Sequence, residues 1–408
     1  MRVLQLHNRY RSSAPSGENR VVDNEAAALR AQGHTVLRFE RHSDDISGWP
    51  VAKKAVLPAK ILWSSESYKS LRRALRADRP DVVHVHNTFP LLSPSVLQAC
   101  WNERVPVVAT LHNYRLMCPS GELFRNGAIC HDCVGQMPVP AVLHGCYQGS
   151  KLTTIPLAVS SVANRQRWRS RVSAYVCISR SQRDILLPLG LPTDRTFVKH
   201  NLVPAKPPAS QAERSKTVIF TGRMTEAKGI TVLMDAWDVY SKSSADNSLR
   251  LVIAGGGPLE GEVAAWAQDR KNVDFLGILS PADCQDLLST ACAAVVPSVW
   301  EETFGLVVVE AMAAGVPVIA AAHGSFPELM VDGEEGTLFP PGDVPALADV
   351  FSDVDAQPEL YARYGRSARK AYEARFEPGD NLNQLLAIYE FAIQHPVYGD
   401  RQPVLCTI

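Results

Sequence analysis

Two carboxylates stand out in the run EETFGLVVVEAMAAGVPVIA, residues 301–320: Glu302 and Glu310, with Phe304 and Gly305 between them. A carboxylate in apolar surroundings is costly unless paired or hydrogen-bonded, so both acids need partners. Upstream, FTGRMTEAKGI places Arg223 and Lys228 on a loop that follows a short β-branched run. Such a pair suits a diphosphate, Arg through its planar fork and Lys as a point charge. Taken alone, each also reads as a solvated surface cation. The spacing predicts a short buried helix from Gly305 to Ala314, closed by Gly315 and Pro317. Its first turn would offer the Gly305 and Leu306 amides at the positive end of the helix dipole, a site for phosphate oxygens. Glu302 would sit on the loop beside that site and Glu310 about a turn and a half inside the helix. Each is then placed to accept hydrogen bonds from hydroxyls of a different sugar. For Glu310 an internal cap or ion pair is the structural alternative.

These residues need elements to hold them. RVLQLH, TVLRFE, DVVHVHN, PVVATLHN and AYVCIS alternate with amphipathic stretches such as NRVVDNEAAALRAQGH. That alternation predicts parallel sheet covered by helices. After FVKHNLVPAKPPASQAERSK, which lacks periodicity, the pattern restarts with TVIFTGRM, LRLVIAGGG, NVDFLG, AAVVPS and PVIA. At 408 residues the chain also exceeds one ordinary core. Two α/β, Rossmann-like domains are therefore expected, residues 1–203 and 204–380, joined near 201–215. A helix over 381–396 should pack back on the first domain, followed by a loose tail over 397–408. Ligands of such sheets bind at the carboxyl ends of the strands, here in the cleft between the domains. Lys+Arg and Asp+Glu are both 42, so no net charge points to nucleic acid as a partner. No apolar run is long enough for a spanning helix, and MRVLQLHNRY turns polar too early for a secretory signal. A cytoplasmic location is expected, and nothing in the sequence fixes an oligomeric state.

A glycine-rich turn, AGGGPLEGEV, follows one of the later strands, and its glycines, Gly257 the last before Pro258, would let backbone approach a bound donor closely. Asp274 lies downstream as in a dinucleotide site, but Pro258 and Glu260 break the G-x-G-x-x-G pattern. Taken together, SVWEETFGLVVVEAMAAGVPVIA, FTGRMTEAKGI, AGGGPL and VDFLG resemble the retaining, nucleotide-sugar-dependent glycosyltransferases of the GT-B fold, family GT4. The likeness spans most of the chain and is strongest from Phe220 to Leu338. It implies Glu302 on the donor sugar, Glu310 on the nucleotide ribose and Arg223 with Lys228 on the diphosphate. Backbone at Phe304, Gly305 and Leu306 would meet the sugar phosphate region. The resemblance further implies a nucleoside diphosphate sugar as co-substrate, UDP by default, a hydroxyl acceptor, and no catalytic metal. In the first half, the family's Gly-Gly loop is represented by SAPSGENRVV, where Ser16 precedes Gly17. VVATLHNYR matches the strand that ends in a histidine near the donor sugar, here His112, and Asn201 stands where the family has a hinge-proximal asparagine. His84 and His86 are expected to serve packing and orientation.

Four cysteines at 118, 130, 133 and 146 follow C-x11-C-x2-C-x12-C spacing. In a reducing compartment this suggests a structural tetrahedral zinc site, with His131 and His144 as spare ligands, or else unligated thiols in a long loop. Arg165, Arg167, Arg169 and Arg171 cluster around Trp168. They read first as a solvated helix face and second as a peripheral membrane contact for a lipid-linked acceptor. Two other functions fit part of the pattern. A carboxylate-pair glycoside hydrolase would set its acids across a scissile bond, and a nucleotide-sugar-binding module would bind the donor without turnover.

Overall fold

The computed structural model describes residues 1–12, 16–204, 214–243 and 248–398. The expected junction near 201–215 falls partly, and the tail from 399 wholly, outside the described residues, as do residues 13–15 of the first glycine loop. Two parallel six-stranded sheets form the frame. The first takes β1 (Arg2–Arg9), β2 (Thr35–His42), β3 (Val82–Asn87), β4 (Val107–Leu111), β7 (Ala174–Cys177) and β8 (Thr196–Val198) in the order β2-β1-β3-β4-β7-β8. A two-residue hairpin, β5 (Phe124–Arg125) with β6 (Ala128–Ile129), lies apart from it. The second sheet takes β9 (Thr217–Thr221), β10 (Arg250–Ala254), β11 (Val273–Gly277), β12 (Ala293–Val296), β13 (Val318–Ala321) and β14 (Gly336–Phe339) in the order β11-β10-β9-β12-β13-β14.

The central strands β3, β4, β7, β12 and β13 are buried along their whole length. This follows from helices on both faces of a parallel sheet, which leave no solvated side to select polar residues. Strand order reverses between β9 and β12 in the second sheet and between β1 and β3 in the first. In doubly wound sheets the crevice outside such a reversal receives the ligand, because the adjoining loops diverge to opposite faces. Loops after β9 and β12 therefore build one wall of the cleft, and those after β1, β3 and β4 the other.

The C-terminal helix, Pro378–Gln394, crosses back to the first domain as expected, slightly earlier in the chain than predicted. Its Leu382, Leu385, Ile388 and Tyr389 join Val3, Val82, Val108 and Val176 in one apolar cluster. Burying side chains of this size contributes about 1.5–3 kcal/mol each. Two sequence expectations need correction. The stretch beginning FVKHN was read as irregular, yet Thr196–Val198 pairs in parallel with β7 as an edge strand. β14 was not expected, since GTLF opens on Gly and Thr and lacks the continuous apolar run that marks β12 and β13.

Candidate active site

Lys228 ends a short turn, Glu226–Lys228, after β9. Glu302 lies on the loop between β12 and the helix Leu306–Ala313. Their side chains meet, with Lys228 Nζ 2.7 Å from Glu302 Oε2. Ser298 Oγ and Trp300 Nε1 donate to the same oxygen at 3.1 and 3.0 Å. The buried acid thus has the partners its sequence context demanded, and one carboxylate oxygen takes all three. Lys228 also lies over the Trp300 ring, 5.2 Å from its centroid.

Gly305 caps the helix rather than opening it, and does so with φ 81°. A Cβ there would come 2.5 Å from Phe326 Cε1, so both backbone angle and packing call for glycine. Phe304 is buried, with its ring 5.5 Å from that of His200. Gly257 at φ 156° lets the AGGG turn lie against Met224, whose backbone oxygen a Cβ would approach to 2.6 Å. The turn thus braces the loop that carries Arg223 and Lys228. Arg223 Nη2 is 3.2 Å from Glu122 Oε1, a residue of the first domain.

Glu310 takes the ion-pair alternative. Its Oε1 lies 2.6 Å from Nη2 of Arg20, which projects from the first helix, Gly17–Ala31. Burial pushes the Glu310 carboxyl above its ordinary range and Arg20 opposes that shift. A ribose bound at Glu310 would share it with Arg20, a residue the sequence reading did not single out. Its position one turn into the helix that follows the glycine loop was the available signal. On the same helix Ser16 is the cap, its Oγ accepting from Asn19 N–H at 3.4 Å. Gly17 faces the second domain so closely that a Cβ would lie 2.6 Å from Leu306 Cδ1.

On the opposite wall, His112 follows β4. Its Nε2 is 3.0 Å from His86 Nδ1 and the two rings stack. Burial lowers the His112 pKa well below the usual value, and the neighbouring His7, His84 and Lys199 push the same way. The ring is therefore a neutral hydrogen-bonding group at neutral pH. Thr303 Oγ1 donates to the His112 carbonyl at 3.2 Å, which ties the strand end to the Glu302 loop. His84 is positional, as expected, with Tyr389 and Thr110 hydroxyls 2.7 Å from its two nitrogens. Glu25, His84 and His86 bring three ligand atoms within 4.8 Å of one another. Both His84 nitrogens are engaged, and Lys199 Nζ sits 3.1 Å from Glu25 Oε1, so this set does not suit a cation. Asn201 is buried beside His200, whose carbonyl accepts from Asn381 at 2.9 Å.

Cys118, Cys130, Cys133 and Cys146 are free thiols around one cavity that His144 also lines. His131 instead faces Glu301, at 3.7 Å. The cluster of arginines forms a short helix, Arg165–Arg171, with no buried residue, and its arginines are partly covered by neighbouring side chains and carbonyls. Arg167 packs over Trp63 and Arg171 over Trp101, while Arg169 donates to the Leu189 carbonyl. No helix among the described residues is long and apolar enough to cross a membrane.

Residues 15–206 match the family described as Glycosyltransferase Family 4, and residues 205–371 match Glycosyl transferases group 1. The chain is 28% identical over 394 residues to a phosphatidyl-myo-inositol mannosyltransferase of Mycobacterium leprae, covering 93% of this chain and 94% of that one. It is 26% identical over 407 residues to the O-antigen chain mannosyltransferase C of Escherichia coli, covering 95% and 98%. Among solved structures it resembles Anabaena HepE in complex with UDP and glucose, with TM-score 0.66, 18% identity, and 95% and 99% of the two chains covered. A sucrose-phosphate synthase from Thermosynechococcus elongatus gives TM-score 0.68 at 18% identity, covering 95% and 98%. The fold is therefore GT-B, and the two glycosyltransferase family models divide the chain between them, one matching the domain on each side of the cleft.

Proposed function

We propose that the protein transfers a sugar from a nucleoside diphosphate sugar to an acceptor hydroxyl with retention at the anomeric carbon. The observation that carries this is the Lys228–Glu302 pair, set where β9 and β12 diverge and beside the start of the Leu306–Ala313 helix. A diphosphate at the helix start would meet Lys228, Arg223 and the Gly305 and Leu306 backbone. These groups stabilise charge on the departing diphosphate as the glycosidic bond breaks, an electrostatic contribution that needs no proton transfer. Glu302 Oε2 is taken up by its three donors, which leaves Oε1 to orient a sugar hydroxyl. Neutral His112 offers a second hydrogen bond from the facing wall. Both carboxylates are held by cations, a poor arrangement for the acid and nucleophile of a hydrolase.

UDP is the first donor to test, since the Anabaena relative of this fold was crystallised with it. The acceptor class includes saccharides, lipid-linked glycans and small natural products. A lipid-linked acceptor would suit the exposed Leu143, Leu152, Ile155 and Val159 on the helices Val139–His144 and Lys151–Ala163. Co-sedimentation with anionic vesicles at low salt checks that variant, and no binding would end it.

The function itself is tested by thermal shift with UDP, GDP, ADP, TDP and CMP, because a ligand bound only by the folded state raises its melting temperature. A shift selective for one diphosphate and lost in Arg223→Ala is expected. No shift with any nucleotide would refute the donor site.

A further inference from the structure

Residues 112–150 connect β4 to the helix Lys151–Ala163 with little regular structure, only the β5–β6 hairpin and a short helix, Val139–His144. Connections of this length normally need something to order them. This one also has a positional task, because it carries Glu122 to Arg223 and His131 to Glu301 across the cleft.

The turns within the loop converge on its cysteines. The hairpin returns the chain so that Cys130 N–H donates to the Leu123 carbonyl at 2.8 Å. Gly145, at φ 62°, closes the short helix and lets Cys146 N–H reach the Ala141 carbonyl at 3.0 Å. Cys118 and Cys133 are buried, and all four thiols surround a cavity of about 10 Å³. Arg125 lines the same cavity, its guanidinium paired with Asp132 at 3.0 Å.

We propose that Cys118, Cys130, Cys133 and Cys146 hold one structural zinc ion, which fixes this loop and with it the cleft wall facing Arg223 and Glu301. No three of the sulfurs lie mutually within 4.8 Å. The ion would therefore draw them inward, to about 2.3 Å from a common centre. Binding replaces the thiol protons, which leave to solvent, and involves no change of oxidation state. The proposal is independent of the donor reading.

Metal analysis of protein purified without added zinc should find about one zinc per chain and little iron, and Cys133→Ser should lose it. Because that variant can fail to fold, alkylation of the unmodified protein gives a second reading. Cys130 and Cys146 should resist iodoacetamide until a strong chelator is added, whereas Cys284, also partly exposed, should react at the same rate with and without chelator. Folded protein with less than about 0.2 zinc per chain, iron in place of zinc, or alkylation of Cys130 and Cys146 without chelator would each overturn the proposal.

Discussion

Glu302 gathers an ammonium, an indole N–H and a hydroxyl on one oxygen, so its orientation is over-determined before any ligand arrives. Preorganisation of this kind is lost when the charge is removed, even where shape is kept. Glu302→Gln and Lys228→Ala should each lower turnover by about 10²-fold or more, while far-ultraviolet circular dichroism stays that of the unmodified protein. Near-normal rates would remove both residues from the mechanism. Glu18, in the first turn of the helix Gly17–Ala31, gives a stability test. Burial pushes its carboxyl up to about 8, against the opposing Tyr10 hydrogen bond and Arg115. The folded state then keeps a proton that the unfolded chain has released above its ordinary 4.5. Stability should fall as pH rises between about 4.5 and 8. Glu18→Gln, neutral throughout, should flatten that part of the melting-temperature profile, and an unchanged slope would assign it to other groups.

At the level of elements, the helix Leu306–Ala313 depends on the glycine before it. Gly305→Ala forces a β-carbon into left-handed backbone and against Phe326, at a cost of about 1–3 kcal/mol. Because the first helical amides would shift with it, donor kcat/KM should fall by roughly tenfold or more. A variant with unchanged melting temperature and unchanged kcat/KM would show that this cap is not needed. Most of this was readable in the sequence: continuous apolar runs announce β9, β12 and β13, and Gly315 with Pro317 announces the helix end. Expected bounds of 305–314 became Leu306–Ala313 because Gly305 and Ala314 are caps. The edge strands β8 and β14 stayed hidden because TFV is only three residues long and GTLF lacks the continuous apolar run of the equally short β12 and β13. The charge partners stayed hidden for another reason. Arg20 with Glu310, Glu122 with Arg223 and Glu328 with His200 are each joined by tertiary placement, and nothing local marks one as the mate of the other.

Across the whole molecule, those same pairs set how the two domains stand in this structure. Deep in the cleft, Ser179 donates to the Thr303 carbonyl at 2.8 Å and Glu328 meets His200 at 3.0 Å. Nearer solvent, Arg223–Glu122 is exposed enough for salt to screen it, so its contribution to closure is small. Arg20–Glu310 is different, with the Glu310 side chain only 11% exposed. Removing Arg20 leaves a buried acid without its cation. The acid then takes up a proton or, at a pH high enough to keep it charged, is reached by water as the domains separate, so the test belongs at high pH. Small-angle scattering of ligand-free Arg20→Ala should therefore give a larger radius of gyration than the unmodified protein, for which a compact chain of this length implies about 22 Å. A saturating nucleotide that places its ribose on Glu310 should restore the smaller value. Equal radii in the two ligand-free proteins would show that the deep contacts alone hold the cleft, and that Arg20 serves only to neutralise Glu310.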